Sequence, residues 1–145
     1  MKFPGICVGL FLCAFLGFAI GAGEGQAHKH GEREIDVATF AAVPTVSLEV
    51  SRDAVAGWNL HVETSDFRFA PESVNEAPRP GEGHAHLYVD EKKVARLYGP
   101  WFHLGGLEPG PHQIKVQLNA NDHSTLVFEG KPISSSVEVE QADSK

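Results

Sequence analysis

Short stretches in which every second residue is apolar limit most strongly what this chain can fold into. They cover residues 46–50, 58–62, 83–90 and 112–118, and residues 137–140 repeat the pattern near the end of the chain. A period of two is the spacing of side chains on one face of a β-strand. Clusters of Gly, Pro, Asn and Asp separate the stretches, and none has the period of about 3.6 residues typical of a long helix. The pattern therefore predicts a domain built from short strands.

The clearest pair of strands is a hairpin between residues 83 and 98. Gly83–Asp90 alternates, Asp90–Lys93 has the composition of a turn, and Val94–Tyr98 returns from it. Together with the other stretches this gives about seven or eight short strands, with turn signals roughly every eight to twelve residues. That spacing predicts an all-β fold, a single antiparallel β-sandwich of immunoglobulin-like or cupredoxin-like kind.

The start of the chain has the composition of an export signal. Lys2 supplies a positive charge, and the apolar run Ile6–Ile20 is too short to span a membrane comfortably. Cleavage is expected after Ala27, with Gly21 as the second choice and a retained membrane anchor as the alternative. The mature protein is then expected to be periplasmic or secreted, with no contact to a membrane after cleavage.

Cleavage after Ala27 leaves one domain between two tails. The expected divisions are a signal peptide over residues 1–27, a polar N-terminal tail over residues 28–43, the β-sandwich over residues 44–140 and a C-terminal tail over residues 141–145. Both cysteines, Cys7 and Cys13, leave with the signal, which excludes disulfides, thiolate zinc sites and blue-copper sites from the mature chain. The net charge of −7 argues against nucleic acid as a partner.

Histidines are the residues that suggest a function. His84 and His86 stand two apart in a predicted strand, on the face opposite Ala85 and Leu87. Such residues lie about 6.6 Å apart, so their imidazoles can converge on one metal ion with bonds of about 2.0–2.1 Å. The alternative is that both histidines simply form a polar face of the sheet.

A third ligand must come from another part of the chain. His123 follows Asp122 in a turn, where the carboxylate could bind the ion or orient an imidazole. The alternative is a turn whose Asn and Asp side chains cap their own backbone. His103 is a further candidate, although it lies among aromatic residues and packing against them is the competing interpretation.

The processed N-terminus offers a separate site. Cleavage after Ala27 exposes His28-Lys29-His30. The free amine, two backbone amides and the ring of His30 would form a square-planar nitrogen set that suits Cu(II) or Ni(II). His28 could instead chelate through its amine and its ring, as in histidine-brace proteins. The alternative is a polar tail without a function.

Three motifs carry a resemblance: Gly83-His84-Ala85-His86-Leu87-Tyr88-Val89-Asp90, Pro109-Gly110-Pro111-His112 and Asn119-Ala120-Asn121-Asp122-His123-Ser124. They resemble a group of small, functionally uncharacterised secreted bacterial β-sandwich domains with Gly-His-x-His-Leu, Pro-Gly-x-His and Asp-His motifs. The resemblance covers roughly residues 83–139 and implies the sandwich and the recurrent histidines. The signal and the His-led N-terminus are also faintly similar to periplasmic copper carriers of the CopC type, whose C-terminal ligand motif this chain lacks.

These patterns favour a metal-binding protein of the periplasm or exterior. Imidazole-rich sites without thiols suit Cu(II), which heads the Irving–Williams order, and Zn(II) is the second choice. The expected role is capture, delivery or buffering of the ion, with a periplasmic protein as a further partner. No catalytic nucleophile or acid–base pair can be recognised in the sequence, so the chain is not expected to be an enzyme. The alternative is a metal-free binding or structural module that docks a protein or a saccharide through its histidine and aromatic face.

Overall fold

The computed structural model describes residues 33–143, so the export signal and the N-terminal histidines His28 and His30 lie outside the described residues. In the described range, no helix is long and apolar enough to cross a membrane. The elements there are β1 Glu34–Asp36, a 3-10 helix Val37–Thr39, β2 Thr45–Arg52, β3 Trp58–Ser65, β4 Arg68–Phe69, a 3-10 helix Pro71–Ser73, β5 Glu82–Val89, β6 Lys92–Leu97, β7 Trp101–Leu104, β8 Gly110–Ala120, β9 Thr125–Phe128, β10 Lys131–Pro132 and β11 Ser134–Gln141.

The strands form two sheets that pack face to face, so the expected all-β sandwich is confirmed. The larger sheet has eight strands, with the path β1-β9-β8-β5-β4; β6 pairs with β5, β11 with β8 and β10 with β9. The smaller sheet has the order β2-β3-β7. Most pairs are antiparallel, but β1 with β9 and β4 with β5 are parallel. The alternating apolar residues meet between the sheets in a core that includes Leu60, Val62, Ala85, Leu87, Ile114, Val116 and Leu118.

The N-terminal boundary differs from the expectation. Residues 28–43 were expected to form a polar tail, but from Glu34 onward they belong to the sandwich. β1 pairs with β9, and Val37 is completely buried in the core. A strand of three residues is too short for a period of two to stand out. At the other end β11 continues to Gln141, where the side-chain Oε1 accepts a hydrogen bond from Trp58 Nε1 at 3.0 Å.

The pairing around β5 decides which side chains share its outer face. His84 lies opposite Asn119, and His86 lies opposite Gln117, both on β8. On its other side β5 pairs with β6, and the register of that pair shifts between Leu87 and Tyr88. This shift is a β-bulge, in which one strand carries an additional residue. The bulge changes which residues of β6 share a face with the histidines.

Candidate metal centre

Three imidazoles converge on the outer face of the larger sheet. His84 Nε2 lies 3.0 Å from His86 Nε2 and 3.0 Å from His123 Nδ1. One ring nitrogen from each of the three residues lies within 4.8 Å of the other two. Within residues 33–143 this is the one group of three or more His, Cys, Asp or Glu side chains with such spacing. The structure thus brings together three of the histidines singled out in the sequence.

The histidine pair lies on the predicted face of β5, but that face is not open to solvent. Ala85 and Leu87 point into the core, whereas His84 and His86 point outward and are still only 1% and 2% exposed. The segment after β4 helps to cover this end of the sheet, where the backbone N–H of Asn75 donates to the carbonyl oxygen of Asn121 at 2.8 Å. Because buried polar groups are costly without partners, the ring nitrogens must satisfy one another or bind something.

His123 reaches the pair from the turn between β8 and β9. Its backbone has a φ of 71°, a left-handed conformation that is uncommon outside glycine and costly unless the surroundings hold it. Two hydrogen bonds hold it here: His123 N donates to Ala120 O at 3.0 Å, and Asn119 Nδ2 donates to His123 O at 3.1 Å. Asp122 caps the turn by accepting from Ser124 N at 3.0 Å, which is the capping role considered above.

The hydrogen bonds leave lone pairs facing the centre of the cluster. His123 Nε2 lies 2.7 Å from Asn75 Oδ1 and donates to it, which leaves His123 Nδ1 as an acceptor. Lys93 Nζ lies 3.1 Å from His86 Nε2 and donates to it, so that nitrogen is an acceptor as well. His84 Nε2 lies between these two acceptors and has at most one proton to give. His123 Nδ1 can accept the N–H of His84, while His86 Nε2 accepts from Lys93. A metal ion could instead bind all three nitrogens.

Burial keeps the rings in the neutral form that binds metals. Desolvation, followed by the charge of His123, lowers the pKa of His84 to about 4. Desolvation, followed by the charge of Lys93, lowers the pKa of His86 to about 3. The pKa of His123 is also lowered, first by desolvation and then by Arg96. At neutral pH the rings therefore carry no positive charge that would repel an incoming ion.

The spacing of the nitrogens fits a small metal ion. Bonds of about 2.0–2.1 Å in tetrahedral geometry place ligand nitrogens roughly 3.3 Å apart, close to the two distances of 3.0 Å. The nitrogens of the third pair, His86 and His123, lie within 4.8 Å of each other. Three protein ligands leave a fourth position, as in zinc sites that bind water or a substrate.

Asn75, Lys93 and Arg96 contribute to the site and were not foreseen from the sequence. Asn75 lies in a loop without periodicity, where no pattern marks it as a partner of His123. Lys93 and Arg96 are three residues apart on β6, and a regular strand would place them on opposite faces. The bulge brings both to the histidine face, with Arg96 opposite His86 and Lys93 opposite Tyr88. Such a shift of register is not visible in the composition of a strand.

His103, the further candidate from the sequence, lies outside the cluster. It lies on β7 of the smaller sheet, where Nδ1 is 3.2 Å from Asn59 Oδ1. The neighbouring Trp101 is 67% exposed and stacks on His61, with ring centroids 4.2 Å apart. The exposed tryptophan and the metal-ligand candidates therefore lie on different sheets.

Gly83 allows β5 to approach β8 directly beside His84. A Cβ added at this position would overlap the carbonyl oxygen of Asn119. We expect Gly83→Ala to lower the free energy of unfolding by about 1–3 kcal/mol, because the backbones must separate. Thermal unfolding measures this change. Gly99→Ala is the control, since its added Cβ meets no atom within 4 Å; equal stability of both variants would contradict the prediction.

No family model matches the chain, and the curated proteins contain no match. Among solved structures, the chain is similar to the fibronectin(III)-like modules of Clostridium thermocellum CbhA, with 16% sequence identity and a TM-score of 0.40. The match covers 68% of this chain and 100% of that chain. Neither the secreted-domain motifs nor the CopC-type likeness has a counterpart in these comparisons, and the sandwich rests on the strand pairing itself.

Proposed function

We propose that this domain binds one divalent metal ion through His84, His86 and His123, with Cu(II) as the first choice and Zn(II) as the second. The observation that carries the proposal is the position of His84 Nε2, 3.0 Å from a ring nitrogen of each of the other two residues. The role would be capture, delivery or buffering in the periplasm or outside the cell. The protein would act as a binding protein and not as an enzyme.

The burial of the cluster favours a metal site over a hydrogen-bonded histidine network without a metal. His86 Nδ1 is buried without a hydrogen-bond partner. A purely structural histidine network would be expected to satisfy its buried nitrogens. A site that must receive an ion retains lone pairs instead, and tolerates their cost in the metal-free state.

The donor set guides the choice of metal. Three imidazole nitrogens without a thiolate suit Cu(II) and Zn(II), and copper binds such a set more tightly by the Irving–Williams order. Zinc would fit the same three nitrogens with a tetrahedral fourth ligand. We infer transfer or storage and no redox turnover, in line with the absence of a legible catalytic group in the sequence.

Calorimetric titration of the metal-free protein tests the proposal. We expect about one equivalent of Cu(II) or Zn(II) to bind, and His123→Asn to weaken binding at least about tenfold, since asparagine adopts the left-handed turn but supplies a poorer donor. His103→Asn is the matched control and should bind like the wild type. No binding by the wild type, or an equal loss in the His103 variant, would overturn the proposal.

A second candidate function is a docking module, which the exposed Trp101 favours. Its ring stacks on His61, whose Nδ1 lies 3.9 Å from Glu49 Oε2 and 4.0 Å from Glu63 Oε1. An exposed aromatic ring beside polar groups is a common recognition surface for proteins and saccharides.

Because Trp58 is only 7% exposed, tryptophan fluorescence would report mainly on Trp101. A fluorescence change with soluble oligosaccharides that is insensitive to chelators and absent in Trp101→Ala would support this function; no change would exclude that saccharide role.

A further inference from the structure

A loop residue contacts the one proposed ligand that does not lie on a strand. Asn75 lies between the second 3-10 helix and β5. Its side-chain Oδ1 accepts a hydrogen bond from His123 Nε2 at 2.7 Å, and its backbone N–H donates to Asn121 O at 2.8 Å. One residue of the loop is therefore bonded twice to the turn that carries His123.

The backbone around Asn75 fixes the position of its side chain. Asn75 has a φ of 67°, in the left-handed region where asparagine is enriched several-fold over most other residues. Both ends of the segment are bonded to each other beside β5: Arg68 N donates to Gly81 O at 2.7 Å, and Ala70 N donates to Gly83 O at 2.8 Å. The tip of the loop between these anchors reaches the turn through Asn75.

The contact with Asn75 determines which nitrogen of His123 carries the proton. A neutral imidazole has one N–H, and its other nitrogen has the lone pair that can bind a metal. With the proton on Nε2, the lone pair of Nδ1 is directed to His84 Nε2, 3.0 Å away. With the proton on Nδ1, that nitrogen could not bind an ion. An acceptor behind a metal-bound histidine commonly fixes the tautomer and the orientation of the ring.

We propose that Asn75 is a positioning residue of the metal centre, which holds His123 Nδ1 toward the ion and couples binding of the ion to closure of the loop. This inference rests on the proposed function, because it concerns a residue behind one of the three proposed ligands. An ion on Nδ1 draws electron density from the ring and makes Nε2–H a stronger donor to Asn75. The coupling is reciprocal: the contact raises the affinity for the ion, and the bound ion orders the loop.

Zn(II) titration against a competing chelator compares two substitutions of Asn75. Asn75→Gly permits the left-handed backbone but removes the acceptor, and should weaken Zn(II) binding by about 10–100-fold. Asn75→Asp keeps an acceptor and tolerates the same backbone, so it should bind Zn(II) at least as tightly as the wild type. Glu76→Gly is the matched control for a more flexible loop, because the Glu76 side chain pairs with Arg79 at 3.0 Å; it should bind like the wild type.

Two further measurements report on the contact itself. NMR of the histidine rings in the metal-free protein identifies their tautomers: the wild type and Asn75→Asp should carry the His123 proton on Nε2, whereas Asn75→Gly should show a mixture of both forms. Hydrogen exchange follows closure of the loop, because the amide at position 75 donates to Asn121 O. Zn(II) should slow the exchange of this amide in the wild type and should not slow it in Asn75→Gly.

The outcomes separate this inference from the proposed function. Equal Zn(II) affinity of Asn75→Gly and the wild type overturns the role of Asn75 and leaves the metal site in place. An equal loss of affinity in Glu76→Gly or in Asn75→Asp also overturns it, because the loss would then not come from the missing acceptor. A wild type with the His123 proton on Nδ1, or exchange at position 75 that Zn(II) does not change, overturns it as well. If the wild type binds no Zn(II), both proposals fail.

Discussion

His86→Leu is expected to lose at least about 100-fold in affinity for Cu(II) or Zn(II), while its metal-free form becomes more stable than the wild type. The loss follows because one of the three proposed ligands disappears. Even substitutions of residues that only hydrogen-bond to a ligand lower metal affinity by about 10–100-fold. Leucine has a similar size and suits a side chain that is only 2% exposed. Alanine would be a poorer test, because a cavity in its place would destabilise the fold for reasons unrelated to metal.

The gain in stability follows from the unpaired nitrogen. His86 Nδ1 is buried without a hydrogen-bond partner, and such a group costs about 1–3 kcal/mol. In the leucine variant His84 Nε2 can still donate to His123 Nδ1, 3.0 Å away. We therefore expect the free energy of unfolding to rise by about 1 kcal/mol in the presence of a chelator.

Denaturant unfolding and metal titration of the same preparations check both parts of this prediction. His61→Leu is the control, because His61 lies on the smaller sheet and outside the cluster; its metal affinity should equal that of the wild type. Binding by His86→Leu with unchanged affinity would contradict the assignment of the ligand. A large loss of stability in that variant would contradict the view that the metal-free site is poorly satisfied.

Acid is expected to destabilise the metal-free protein steeply between about pH 6.5 and pH 4. The pKa of His84 falls to about 4 and that of His86 to about 3, from an ordinary value of 6.5. Below pH 6.5 the unfolded chain therefore binds protons that the folded chain excludes, and stability decreases as the pH falls. Each histidine contributes up to about 1.4 kcal/mol per pH unit, so the pair approaches about 2.7 kcal/mol per unit.

Urea unfolding at a series of pH values, with a chelator present, measures this slope. His86→Leu should reduce the slope by about half. His112 changes the stability with pH in the opposite direction. Its hydrogen bond to Asp90 raises the pKa of His112, so the stabilisation by this residue is lost as the pH rises. A His112→Asn background removes that contribution. A free energy of unfolding that stays flat down to pH 4 would contradict the burial of neutral imidazoles.

The fold could be predicted where strands are long enough for their alternation to be recognised. Residues 46–50, 58–62 and 112–118 lie within β2, β3 and β8, and the sandwich follows from their apolar faces. β1 has three residues and β4 has two, so neither has enough positions to display a period. The parallel pairing of these two strands depends on long-range packing, which no local pattern encodes.

The three histidines of the candidate site could be predicted from the sequence, whereas the residues around them could not. The prediction of His84 and His86 follows from their spacing on one strand. The prediction of His123 follows from its position after Asp122 in a turn. His103 has similar sequence features but lies on the other sheet, because strand order cannot be read from the alternation. The same alternation suggests a solvated polar face, and only the three-dimensional structure shows that loop and turn residues bury it. Lys93 depends on a shift of register that alternation does not reveal.

The left-handed turn at His123 would have a kinetic consequence for release of the ion from the proposed site. Two of the proposed ligands are fixed on a central strand, whereas the third lies in a turn that closes through short-range hydrogen bonds. Local opening of a hairpin end requires far less free energy than global unfolding. The ion could then pass to an acceptor by stepwise ligand exchange, with His123 leaving first, and its residence time would follow the opening rate of a single turn.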